Sequence, residues 1–222
     1  MPNPLPMKQA AQAELMVNNL QQTQYQYLPE DIDFVEDAAG TVVTDVFDCD
    51  CNSFVGFVLG GPVGSSGQGM APAHYAIIAA LKEPDQARPR AFVYHDFFSS
   101  LTSESPGGWH RINFLQDARR GGIVAWRFPT IEENQDTGHV MFLAETPTMN
   151  ASGMFTVRVY DSAAWPHFDD TRASGPFPSG VGSGIINFVV DDAGRLVAFQ
   201  FGPPPHDETT YMQIAIGRAE PL

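Results

Sequence analysis

Residues 48–59 read DCDCNSFVGFVL. Asp50 is a good helix N-cap, because its short carboxylate can accept from the unpaired N–H groups of a first turn. Phe54, Val55, Val58 and Leu59 follow it as an apolar stripe at helical spacing. A helix therefore opens at Cys51, and Gly60-Gly61-Pro62 stops it. Working outward from this helix, the chain divides by character. Residues 7–24 carry Met7, Ala11, Leu15 and Leu20 at near-helical spacing, and residues 71–82 and 91–101 also read as helices. Gly61–Gly69 is a Gly/Ser-rich loop. After Gly122 come IVAWRF (123–128), HVMFLA (139–144), FTVRVY (155–160), IINFVV (185–190), LVAFQF (196–201) and YMQIAI (211–216), all β-rich and bounded by turn residues. Asp191-Asp192-Ala193-Gly194 is a tight-turn signal between two of them. Helices first, then an antiparallel sheet, predict an α+β fold.

The length of 222 residues suits one main domain. Residues 1–30 read as an N-terminal helical extension, packed on its own domain or offered to a partner, and residues 31–222 as the domain itself. A chain of this size buries roughly 70% of its unfolded surface, so it needs no disulfide or metal staple. Its 12 basic and 26 acidic residues leave a net charge of −14. That disfavours nucleic acid and an anionic membrane surface as partners, since both reward basic proteins. No run of eighteen apolar residues is present, so no membrane span is expected. Met1–Leu20 lacks a basic segment followed by an apolar one, and so does not read as a signal peptide. The two cysteines, Cys49 and Cys51, exclude a disulfide framework and a four-cysteine zinc site within one chain.

Cys51 carries the strongest chemical signal. A free thiol is only about 3% thiolate at pH 7, and the positive potential of a helix N-terminus favours the thiolate. Asp48 and Asp50 push the other way, so activation needs a histidine. Of His74, His95, His110, His139, His167 and His206, His139 stands out, because it opens a strand directly after Gly138 and could face a helix start packed across the sheet. A third group should hold the imidazole through its other nitrogen. If strands 139–144 and 155–160 form a hairpin centred near Asn150, His139 lies opposite Asp161, within about 5.5 Å at Cβ. Glu145 shares the face of His139 but sits some 20 Å along the strand, roughly 3.3 Å for each residue.

The segments FDCDCNSFVGFVL (47–59), GGIVAWRFP (121–129) and GHVMFLAETP (138–147) resemble the NlpC/P60 superfamily of papain-like cysteine peptidases. That family has an Asp-Cys-Ser-Gly-Phe-Val helix start, a Pro-Gly-Asp strand entry and a Gly-His-Val strand. Asn52, Ser53 and Gly122 depart from the pattern. The resemblance implies a papain-like fold, Cys51 as nucleophile, His139 as base and Asp161 in the third, polar position. It implies amide hydrolysis through a thioester with no cofactor, a cell-wall (peptidoglycan) peptide as substrate, and a periplasmic or secreted location; a small acyl amide and a cytoplasmic location stay open.

Four other readings stand beside it. The same fold could serve as a catalytically silent binding or scaffold module. Cys49-x-Cys51 could bind a soft metal with a distant histidine, although thiolates two residues apart at a helix entry point away from each other. Trp109, Trp126 and Trp165 could line a cleft or complete a core edge. The polar segment His167–Arg172 reads as a solvated loop, or as one that gates or grips a substrate through Asp170 and Arg172.

Overall fold

In a computed structural model of the chain, residues 4–27, 29–60, 69–102, 106–133 and 135–220 are described. The predicted Gly/Ser-rich loop, apart from Gly69, lies outside them.

Helix α1 (Leu5–Asn19) buries Ala10, Ala13 and Met16, the last two in the main core. Strands β1 (Gln22–Tyr25), β2 (Asp31–Glu36) and β3 (Val42–Cys49) follow and form a small sheet of order β1-β3-β2. The expected order of helices first is therefore incorrect: these three strands precede the Cys51 helix. The acids of β2 and β3 hide the alternation, yet the burial along β3 alternates and ends on buried Cys49. An Asp-Ala-Ala-Gly turn joins β2 to β3, with Asp37 Oδ1 accepting from Ala39 and Thr41 N–H at 2.8 and 2.9 Å.

Strand β3 runs straight into helix α2 (Cys51–Gly60), of which every residue but Gly60 is buried. Phe47 and Phe57 meet edge to face at 5.2 Å, fastening the helix to the strand that feeds it. Helices α3 (Pro72–Ala79) and α4 (Ala91–Ser100) come next. The remaining elements are β4 (Trp109–Ile112), β5 (Ile123–Arg127), β6 (Gly138–Leu143), β7 (Thr148–Met149), β8 (Phe155–Ala163), the short α5 (Thr171–Ser174), β9 (Gly180–Val190), β10 (Leu196–Gln200), β11 (Thr210–Tyr211) and β12 (Gln213–Ala219).

The large sheet has the order β11-β10-β9-β8-β6-β5-β12-β4, with β7 paired to β8, and every pairing is antiparallel. It curls, bringing β10 against β12, and Met212 N–H bonds Val197 C=O at 3.2 Å. Curling buries both faces. Val140 and Phe142 of β6 belong to the helix-side core with α2 and α4, while Met141 and Leu143 belong to the core inside the curl. A strand buried on both faces reads as an unbroken apolar run, as HVMFLA does. The architecture is α+β.

Candidate functional site

The turn from β3 to α2 places Cys51. Asp50 Oδ1 accepts from Ser53 N–H at 2.8 Å and its Oδ2 accepts from Asn52 Nδ2 at 2.8 Å, so the aspartate caps the helix as expected. Burial lifts the Asp50 carboxyl to about 6. The Cys51 thiol is buried and donates to Asn52 Oδ1 at 3.6 Å. Its acidity differs from that expected at a helix start. Burial pushes the thiol up, and the charges of Asp50, Asp136 and Asp161 push the same way. The Val140 N–H, on the strand residue after His139, opposes them. Burial is the leading cause, and the capping Asp50 adds to it by taking up the Ser53 N–H of the first turn and setting its charge beside the thiol. Cys51 is a neutral thiol in the free protein.

His139 begins the apolar stretch of β6 behind Gly138, whose backbone sits so close to Trp126 C=O that a side chain there would collide with it. The His139 ring lies 5.1 Å from Trp126 and its Nε2 is 2.6 Å from Asp161 Oδ2. An ionised carboxylate only accepts, so the His139 Nε2 donates to it. The β6–β8 register pairs Phe142 with Tyr160 and Leu143 with Val159. Continuing that ladder puts Asp161 level with Met141, two residues along from His139. The expected direct pairing is thus displaced by two, which leaves both side chains on the same face because the strand period is two.

Asp161 is completely buried and holds a polar cluster together. Its Oδ2 also accepts from His167 Nε2 at 2.8 Å, and its Oδ1 accepts from Arg172 Nη2 at 2.9 Å. Arg172 also bonds Asp170 through Nε at 2.9 Å and Nη2 at 2.8 Å, and Gly180 C=O at 2.9 Å. Asp170 caps α5 and accepts from His167 N–H at 2.7 Å. The second ring nitrogen of His167 faces Phe201 C=O at 2.8 Å. Both acceptors of that ring lack hydrogens of their own, so both its nitrogens are placed to donate. Two carboxylates thus face one guanidinium and two imidazole rings in a closed hydrogen-bonded arrangement, as a buried ionic cluster requires. Burial alone would raise the Asp161 carboxyl, but the charges of His167 and Arg172 and the hydrogen bonds from His139 and His167 outweigh it, holding it well below the usual carboxylate range.

Segment 167–172 is therefore no solvated loop, and Arg172 is too enclosed to grip a substrate. The signal for this was present in the sequence: Gly182 and Gly184 of the following GVGSG stretch leave the space that Arg172, Asp170 and His167 fill.

Cys51 and His139 line one cleft of about 580 Å³, with Tyr25, Trp126, Asp136 and Phe201 among its walls. Asp161 lies beneath, behind His139. Tyr25 gave no sequence signal. Its phenol is pushed up by burial and by the charges of Cys51, Asp50, Asp136 and Asp161, so it stays protonated and able to donate. Trp126 is a cleft wall, Trp165 stands at the rim with 55% exposure, and Trp109 is core.

His139, Asp161 and His167 also have ligating atoms within 4.8 Å of one another, a set of the type that binds a divalent ion. Here those atoms bond to each other. Among the described residues neither cysteine joins such a set. The Cys49 thiol is pushed up by burial, and the Cys49 carbonyl accepts from Ser162 Oγ at 2.6 Å. No helix among the described residues is long and apolar enough to cross a membrane.

Comparison with protein-family models, with curated proteins and with solved structures gave no match for this chain.

Proposed function

We propose that the chain is a cysteine hydrolase of the papain-like NlpC/P60 kind, cleaving an amide bond with Cys51 as nucleophile, His139 as base and Asp161 as the group that orients the base. One observation carries this reading: His139, whose Nε2 is held by the buried Asp161 carboxylate, lines the same cleft as Cys51.

The neutral thiol favours general-base activation over a preformed ion pair. As substrate displaces water, His139 Nδ1 takes the Cys51 proton and the sulfur attacks the carbonyl carbon. The negative charge on the carbonyl oxygen is met by the Cys51 N–H, with the Tyr25 hydroxyl as a second donor; each such donor contributes about 3–4 kcal/mol. The new imidazolium is stabilised by Asp161 and gives its proton to the leaving amine. Water, deprotonated by His139, then splits the thioester and releases the acid. A cell-wall peptide is the substrate class that the sequence resemblance carries, and a small acyl amide is the other.

The test is turnover of a panel of amides and p-nitrophenyl esters by the wild type and by Cys51→Ala and His139→Ala. Loss in both variants with unchanged melting curves supports the reading; equal turnover by Cys51→Ala refutes it. The raised thiol favours one second reading, a silent binding module of the same fold, which predicts no turnover by the wild type either.

A further inference from the structure

We infer that the cleft beside Cys51 selects a cationic group with an apolar body, such as an alkyl- or arylammonium, and rejects carboxylate-bearing ligands. This rests on the hydrolase reading for calling the ligand a substrate; the charge preference is read from the walls alone.

The walls combine aromatic rings with carboxylates. Trp126 and Phe199 stack at 4.1 Å, Phe201 stands edge-on 6.4 Å from each, and Trp165 forms the rim. Asp50, Asp136 and Glu208 supply negative charge, and the latter two are exposed. Among the described lining residues there is no lysine, and Arg90 is the one guanidinium. Arg90 is committed elsewhere. Its Nε bonds Glu83 at 2.6 Å and its Nη1 bonds the carbonyls of Glu132 and Gln135 at 3.0 and 3.2 Å. Arg172, which the sequence suggested as an anion grip, is sealed in the Asp161 cluster. An anionic ligand would therefore find carboxylates and, among the described lining residues, no uncommitted lysine or arginine, with His206 as the one further basic side chain beside His139, whereas a cation would meet aromatic faces and acids together, the chemistry that recognises ammonium groups. The net charge of −14 attracts such ligands at longer range. About 580 Å³ is enough for a small organic group. A cell-wall peptide would have to present an amine-bearing side chain to these walls.

Binding of benzyltrimethylammonium and of phenylacetate to Cys51→Ala, followed by tryptophan fluorescence and calorimetry at low salt, tests this without turnover. The ammonium should bind at least about tenfold more tightly. Trp165→Ala and Glu208→Gln, both at exposed positions, should each weaken it severalfold and leave the melting curve in place. Equal or tighter binding of phenylacetate, or no saturable binding of the ammonium, overturns the inference. A wild type that binds the ammonium but hydrolyses nothing refutes the hydrolase reading and leaves the charge preference standing.

Discussion

Replacing Asp161 by Asn should damage stability and activity together, and the cluster geometry fixes both sizes. The carboxylate accepts from His139, His167 and Arg172 at 2.6, 2.8 and 2.9 Å with no exposed surface. An amide of the same shape keeps one acceptor oxygen and turns its NH2 toward a donor, so at least one buried donor loses its partner. The cluster also gains a net positive charge. Removing one partner of a buried ionic pair costs about 3–5 kcal/mol, against a total of about 5–15 for a domain. For a chain of this length that lowers Tm by about 6–20 °C. His139 also loses the acceptor that fixes its tautomer and compensates its charge during turnover, a loss on the order of 10³–10⁴ in kcat. The pH dependence has a definite sign. The Asp161 carboxyl is held below its unfolded value, so its stabilisation is present above the usual carboxylate range and is lost as pH falls through the lowered value. Scanning calorimetry of wild type and Asp161→Asn from pH 3 to pH 8 should show a wide gap at neutral pH that narrows toward acid. A gap under about 2 °C at pH 7 refutes the account of the cluster.

Two further outcomes are expected. Cys51 in the native protein should react with iodoacetamide at pH 7–8 more slowly than the same thiol in denatured protein, because burial, Asp50 and Asp136 raise it, and Asp136→Asn should speed the reaction; faster native labelling contradicts the neutral-thiol state. Asp45 is buried, its carboxylate oxygens have no hydrogen-bond partner among the described residues, and burial lifts its carboxyl to about 7. Its ionisation in the fold is therefore unfavourable, so stability falls as pH rises from the unfolded value through about 7. Asp45→Asn should flatten that fall between pH 5 and pH 8, and an unchanged slope in thermal melts would sink the assignment.

Local features were legible in the sequence and long-range ones were not. The Cys51 helix start rests on a cap and an apolar stripe within ten residues, so it could be read directly. Asp161 was legible despite the displaced register, because a slip of two keeps a side chain on its face. Strands β2 and β3 were missed because their acids imitate loop composition, even though Asp45 is buried, and β1 because its polar residues QTQY simply extend the Gln-rich stretch before it. The His167–Asp170–Arg172 cluster depends on packing against glycines of β9, whose GVGSG run is its one local hint, and on the Phe201 carbonyl beyond β10, a contact that no local pattern announces. The raised Cys51 thiol follows from its burial in the assembled fold, with Asp136 adding its charge from the segment before β6.

The central claim is a covalent thioester on Cys51. Wild-type protein mixed with a p-nitrophenyl ester, quenched in acid within the first turnover and mapped by mass spectrometry, tests it directly. The Cys51 peptide should carry the mass of one acyl group, absent from Cys51→Ala and reduced in His139→Ala. Hydrolysis by the wild type with no such adduct, at a rate that Cys51→Ala retains, would contradict it.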